Sequence, residues 1–248
     1  MKLRLRIWRQ PHAAAPGAFV RYVLEDAPPE ATLLEALDRL NEQLVHAGEV
    51  PVAFESDCRE GICGACGVVV AGHAHGGRRA TATCELRLSA FEDGQELTLE
   101  PFRARAFPVL RDLVVDRSAL DRVIRVGGYV SVRTGSAPEA NALPVAKTQA
   151  ERALDAAACI GCGACAAACP NASAALFIGA KLTHLALLPQ GEPERALRAE
   201  RMLEAADREG FGACSSHGEC HAACPKGIDL GVITRLNREA LRAGLLAR

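Results

Sequence analysis

The sequence predicts an α+β amino-terminal half followed by an all-α half, and three observations predict it. Apolar residues alternating with a period of two are confined to about the first hundred residues. Apolar spacings of three and four residues take over after about residue 105. Eleven cysteines divide between the halves, with 58, 63, 66 and 84 in the first and 159, 162, 165, 169, 214, 220 and 224 in the second. At 248 residues and 49 % hydrophobic, the chain is long enough to bury a core in each of two units.

Taken in order, Leu3, Leu5 and Ile7 alternate with Arg4 and Arg6, the period of a half-buried strand. A second strand is expected at FVRYVL (19–24). In TLLEALDRLNEQL (32–44), Thr32 and Glu35 form a capping box, and Leu33, Leu37, Leu40 and Leu44 share one helical face. VAF (52–54) leads into a cysteine loop, GVVVAG (67–72) leaves it as a buried strand, and ELTLEPF (96–102) is a further alternating strand. Strands wrapped over one helix, with a cysteine loop after it, outline a β-grasp ferredoxin domain over 1–105. The rest, 106–248, is expected to be an α-helical domain of bacterial-ferredoxin-like dicluster type. DLVVDRSALDRVIRV, QAERALDAAA, PERALRAERMLEAADREG and GVITRLNREALRAGLL are its amphipathic helices, and GSAPEANALPVAKT (135–148) is a loop or short tether.

Cys58, Cys63 and Cys66 have the spacing C-x4-C-x2-C, and Cys84 is the distant fourth, the arrangement of a plant-type [2Fe-2S] centre. Gly61, Gly64 and Gly67 let CREGICGACG fold tightly and aim its N–H groups at the sulfurs. Four thiolates also suit zinc, but zinc sites usually pair two CxxC knuckles, whereas here three cysteines share one glycine-rich loop.

The second half repeats a cysteine run, CIGCGACAAACP (159–170) and CSSHGECHAACP (214–225). The first is C-x2-C-x2-C-x3-C-P, whose fourth cysteine serves the other cluster of a pair. By that rule Cys159, Cys162, Cys165 and Cys224 hold a [4Fe-4S] cluster, and Cys169 joins Cys214 and Cys220. Pro170 and Pro225 turn the chain away after the last ligand. His217 stands where the first run has Cys162, leaving three thiolates. These fit a [3Fe-4S] cluster; the alternatives are a [4Fe-4S] cluster with His217 as fourth ligand, or His217 as a polar loop residue. The reading adopted is three cysteines and no fourth ligand. Fewer thiolates raise a cluster's potential, which suits donation to a quinone.

The totals agree. A net charge of −1 gives no bulk attraction to nucleic acid or to an anionic membrane, and 4 % aromatics argue against a base-stacking surface. An odd cysteine count with CxxC repeats is a poor disulfide framework and implies a reducing compartment. MKLRLRIWRQ lacks the apolar core of a signal peptide. The longest apolar stretch, LFIGAKLTHLALLP, is interrupted by Lys181 and His184, so no transmembrane segment is expected.

Three centres in this order, together with CREGICGACG, PVLRDLVVD (108–116), CIGCGACAAACP and CHAACPKGI, closely resemble the iron–sulfur subunits of succinate dehydrogenase and fumarate reductase. The resemblance covers nearly the whole chain. It implies a flavoprotein partner that carries FAD, a membrane cytochrome b anchor with or without haem b, and a quinone. The chain would then lie peripherally on the cytoplasmic side of the inner membrane and conduct electrons between FAD and quinone. No catalytic residue for succinate chemistry is expected in it. Cys66 keeps a cysteine where some relatives use aspartate. The long Cys66–Cys84 interval, with HAHGGRR (73–79), is expected to be a surface hairpin with His73 and His75 as solvated loop residues. Relatives place tryptophans beside the quinone; here NASAALF supplies Ser173 and Ala174, and Ser215 replaces a histidine. Pro170, Ser173, Ser215, His217 and Lys226 are the candidate quinone- or anchor-side residues. Lys226, expected beside the last cluster, could attract a haem propionate or a semiquinone, or be a solvated lysine. The departures point to a different class of anchor, such as a menaquinone-linked dihaem cytochrome b. The competing classes are a soluble multi-cluster ferredoxin carrier, the iron–sulfur subunit of a thiol- or quinol-linked fumarate reductase or heterodisulfide-reductase-like complex, and, more distantly, a structural zinc protein.

Overall fold

The computed structural model describes residues 1–131 and 140–246. The tether expected at 135–148 therefore lies partly outside the described residues; from 140 to 146 the chain has no helix or strand.

Strand β1 (Leu3–Arg9) pairs antiparallel with β2 (Ala18–Leu24), in a register running from Leu3 opposite Leu24 to Arg9 opposite Ala18. Helix α1 (Leu33–His46) follows, then β3 (Val68–Val70), β4 (His73–Ala74) and β5 (Glu96–Pro101). The sheet order is β2-β1-β5-β3-β4, with β1 and β5 parallel and the other pairs antiparallel. A parallel pair cannot be closed by a tight turn, so the chain crosses over the sheet between them, and α1 lies on that crossover. The capping box forms: Thr32 Oγ1 accepts from the Glu35 N–H at 3.3 Å, and Glu35 accepts from the Thr32 N–H at 2.6 Å. Leu33, Leu34, Leu37, Leu40 and Leu44 of α1 share a core with Leu3, Leu5, Ile7, Leu97 and Leu99. The alternation in LRLRI thus sends every leucine and isoleucine inward.

Beyond residue 105 helices do not begin at once. A small antiparallel pair, β6 (Val109–Arg111) and β7 (Val114–Val115), comes first, where the sequence pattern suggested a helix reaching back to Asp112. Its turn is fixed by Asp112, whose carboxylate accepts from the N–H groups of Gln10 and Ala53, both at 2.8 Å, and pairs with Arg9 at 3.2 Å. Leu113 packs in the first core and Val115 in the second, so this hairpin is the seam between the halves.

Seven helices follow among the described residues: α2 (Ser118–Arg125), α3 (Lys147–Ala157), α4 (Ala164–Ala168), α5 (Ala175–Ala186), α6 (Arg195–Arg208), α7 (Glu219–Ala222) and α8 (Gly231–Leu246). Helix α5 is the apolar stretch broken by Lys181 and His184. It is apolar nearly all round because α3, α4, α6 and α8 pack on it. Gly179 makes room for the Val232 carbonyl of α8, which a β-carbon there would approach to 2.7 Å. No described helix is long and apolar enough to cross a membrane. Two arginines, Arg198 buried and Arg195 partly buried, tie this half together. Arg198 donates to the carbonyls of Gly127, Gly191 and Tyr129, and Arg195 makes a two-pronged pair with Glu239 at 2.6 and 2.7 Å.

Candidate metal centres

The loop after α1 wraps its own backbone round sulfur. Cys58 Sγ accepts from the N–H groups of Glu60, Ile62 and Cys63 at 3.3–3.4 Å, Cys63 Sγ from Ala65 at 3.4 Å, and Cys84 Sγ from Gly61 at 3.2 Å. This geometry needs left-handed backbone at Gly61 (φ +63°) and Gly64 (φ +73°). The donors favour the thiolate: the N–H of Glu60, followed by those of Cys63 and Ile62, lowers the Cys58 thiol to a pKa of about 7. Cys66 is the opposite case. Burial, with the neighbouring Cys84 and Cys63 sulfurs, pushes it up to about 12. A bare thiolate is unfavourable there, and a cationic iron core would offset the burial. The donor set, with Cys66 and Cys84 buried and Cys63 exposed, fits a [2Fe-2S] group held near the surface.

The structure corrects the expectation for the 73–79 hairpin. It exists, with Val70 opposite His73, and His73 is exposed. His75, however, is buried, only 1 % exposed. Its Nδ1 accepts from the Thr83 N–H at 3.2 Å and lies 2.8 Å from Thr83 Oγ1, and its ring stands edge-to-face on Phe102 at 5.3 Å. Phe102 lies well outside the hairpin and the local sequence does not announce the contact, which is why the polar look of HAHGGRR misled. His75 thereby anchors the short 3-10 turn Thr83–Glu85 that presents Cys84.

In the second half the sulfurs separate into two sets. Cys159, Cys162, Cys165 and Cys224 line one cavity together with Phe177, Pro225, Lys226 and Ile228. Cys169, Cys214 and Cys220 line another, of about 200 Å³, with Ser173, Ser215, His217 and, from α8, Ile233 and Asn237. Burial pushes Cys162 up to about 12 and raises Cys159 and Cys165, each further raised by the sulfurs of its own set. Cys220 is raised by burial and then by Cys169 and Cys214. Cys165 also feels Cys220, because α4 and α7 pack together.

The two runs share a backbone as well as a spacing. Gly161 and Gly163 at φ +64° and +84° match Ser216 and Gly218 at +59° and +86°, and Ala172 at +50° matches Gly227 at +60°. Gly163 and Gly218 each start a short helix, α4 and α7, that carries Cys165 and Cys220. Serine in the left-handed region is disfavoured, so the second run keeps the loop geometry at a cost.

Of the five candidate quinone-side residues, Ser173, Ser215 and His217 face the three-cysteine cavity. Ser173 Oγ accepts from the Ala175 N–H, and Ser215 Oγ from Asn171 at 2.8 Å. Pro170 is exposed and does not line that cavity. Lys226, expected beside the same centre, instead lines the four-cysteine cavity. Sequence reasoning missed Arg117, whose guanidinium donates to the carbonyls of Gly64 at 2.7 Å and Cys162 at 3.3 Å. Nothing in its local sequence marks it. Among the described residues, no three His, Cys, Asp or Glu side chains are set to share a single metal ion. In the helical half the sulfurs line two cavities instead.

Two domain families match the chain: a 2Fe-2S iron-sulfur cluster binding domain over residues 4–122 and a 4Fe-4S dicluster domain over residues 155–228. The succinate dehydrogenase iron-sulfur subunit of Bacillus subtilis is 30 % identical over 218 residues, covering 85 % of this chain and 82 % of that one. The fumarate reductase iron-sulfur subunit of Mycobacterium tuberculosis is 34 % identical over 197 residues, covering 74 % and 72 %. Among solved structures, a chain of the Mycobacterium smegmatis Sdh1 complex in the apo form superposes with a TM-score of 0.70 over 98 % of this chain and 95 % of that one. At 23 % identity it shows the fold alone.

Proposed function

Since the chain belongs to the family of succinate dehydrogenase and fumarate reductase iron–sulfur subunits, we propose that it conducts electrons between the FAD of a flavoprotein subunit and a quinone at a membrane cytochrome b anchor. The observation that carries this reading is the serial placement of three sulfur sets. The first loop touches the second at Gly64 and Cys162, and the second meets the third where α4 packs on α7. In this reading the sheet-and-helix half is a β-grasp domain (1–105), and 106–248 is the helical dicluster domain. The [2Fe-2S] ligands are Cys58, Cys63, Cys66 and Cys84. Cys159, Cys162, Cys165 and Cys224 hold [4Fe-4S], and Cys169, Cys214 and Cys220 hold [3Fe-4S].

Such clusters, when bound, take up and release single electrons, over potentials of roughly −700 to +450 mV. The chain's own residues fix their spacing, exclude water and bias their potentials. The N–H groups of Gly61, Ile62 and Ala65 favour added negative charge at the first loop, and the apolar walls from Phe177 and Ile228 keep the middle cavity dry. Ser173, Ser215 and His217 set polar side chains beside the third centre, where an exchangeable acceptor such as menaquinone would approach. The subunit would then sit peripherally on the cytoplasmic side of the membrane.

Anaerobic purification followed by EPR tests the assignment. The reduced protein should show a [2Fe-2S] signal and the oxidised protein a [3Fe-4S] signal; zinc with neither would refute it. His217→Ala should leave the oxidised signal in place, and its loss at unchanged iron elsewhere would make His217 a ligand. Copurification with a flavoprotein from membranes separates this reading from a free multi-cluster carrier.

A further inference from the structure

We propose that Arg117 is a positioning residue that staples the first ligand loop to the second and, by its charge, biases both centres toward the reduced state; this rests on the functional reading above. In each loop the N–H groups turn inward to sulfur, so the carbonyls turn outward. At the seam two of these carbonyls, Gly64 and Cys162, converge on the same guanidinium nitrogen, at 2.7 and 3.3 Å. Their negative ends would otherwise face one another with no donor between them.

The contact is as close as backbone allows. Gly64 stands between Cys63 and Cys66, and a β-carbon on it would lie 2.8 Å from the Ile160 carbonyl oxygen and 3.1 Å from Cys162 Cα. Arg117 is held in place from both sides. It lies immediately before α2, just after the β6–β7 hairpin that joins the two cores, and its other terminal nitrogen reaches Glu55 at 3.4 Å. The Arg117 side chain is 21 % exposed and Glu55 43 %, so the counter-charge sits on the solvent side and neutralises it only in part.

A fixed cation beside two centres that each gain one electron favours the reduced form of both. The one nitrogen shared by both carbonyls, with the other held by Glu55, in turn fixes their separation. The single electron released by one centre is the one gained by the other, so the crossing needs no further reactant.

The test uses the full chain purified anaerobically with its clusters, as wild type, Arg117→Gln and Arg117→Lys. Iron content is measured, each centre is titrated by EPR, and the magnetic broadening between the two reduced centres serves as a ruler of their separation. In Arg117→Gln the reduced-to-oxidised ratio of both centres at fixed potential should fall about tenfold, equivalent to 59 mV for a one-electron couple, and the broadening should weaken. Arg117→Lys keeps the charge but not the second nitrogen that Glu55 holds, so its potentials should stay at wild-type values while the broadening weakens. Unchanged potentials and broadening in Arg117→Gln at full iron would overturn the proposal. So would loss of iron from both variants, which would assign Arg117 to folding instead. Absence of the signals in the wild type would refute the functional reading itself, whereas wild-type signals with unresponsive variants refute only the role of Arg117.

Discussion

His75 makes the stability of this protein depend on pH in a defined window. Burial, reinforced by the charge of Arg117, holds its pKa at about 4, against an ordinary 6.5. Nδ1 accepts from the Thr83 N–H, which places the proton on Nε2, and that nitrogen is buried with no partner among the described residues. Between pH 6.5 and 4 the unfolded chain binds a proton at this position that the folded chain does not. Stability from this group is therefore fully present above pH 6.5 and is lost as pH falls toward 4. From pH 7 to pH 5 the imidazole alone removes about 2 kcal/mol. The perturbation is His75→Asn, which does not titrate, offers the Thr83 N–H an amide oxygen, and tolerates the φ of +60° found here. Urea midpoints of the cluster-loaded protein, followed by far-UV circular dichroism under argon at both pH values, supply the assay. The variant starts less stable at pH 7 because the ring contact with Phe102 is gone, and the gap should narrow by about 2 kcal/mol at pH 5. His184, also lowered by burial, is present in both proteins and cancels. Parallel midpoints at the two pH values would refute the reasoning.

Other perturbations give equally direct readings. Gly64→Ala puts a β-carbon against Ile160 and Cys162 at φ +73°, and should cost about 1–3 kcal/mol, read as a lower thermal midpoint with iron lost first from the middle centre. Glu239→Ala removes a carboxylate that is only 2 % exposed and leaves Arg195 with Glu192 alone, and should destabilise the helical half by about 1–3 kcal/mol in urea titrations. Under a ferrous chelator, iron should leave the centres that use exposed Cys63 and Cys214 before it leaves the one enclosed by buried Cys162 and Cys165; simultaneous release would contradict the burial pattern.

Much of this molecule is legible in its residues because its strongest signals are local. The alternation in LRLRI, the Thr32–Glu35 box and the C-x4-C-x2-C spacing each depend on a few neighbouring positions, and each lands where the pattern puts it. The duplicated run predicts the sorting of sulfurs between two cavities, since the crossing of the fourth cysteine is a property of the spacing. Failures occur where the deciding partner is distant. RDLVVD fits helix and strand alike, and Asp112 settles it through Gln10 and Ala53, far away in sequence. His75 looks solvated until Phe102, just past β5, closes over it. Arg117 looks like one arginine among many, and only the meeting of the halves gives it two carbonyls to hold.

The proposed exchange of Cys169 and Cys224 between the two runs would constrain how the protein is made. On the ribosome the first run emerges with Cys159, Cys162 and Cys165 while Cys224 is still to be translated, so iron arriving early would meet an open, three-sulfur loop. Cys169 likewise waits for Cys214 and Cys220. Both helical-half centres can close only once α7 has folded onto α4, so they are expected to mature together, after synthesis. The first loop faces a shorter delay, because Cys84 belongs to the same half and is presented by the 3-10 turn Thr83–Glu85. A cell that delivers iron late would thus accumulate a half-loaded form with the first centre filled and the other two vacant.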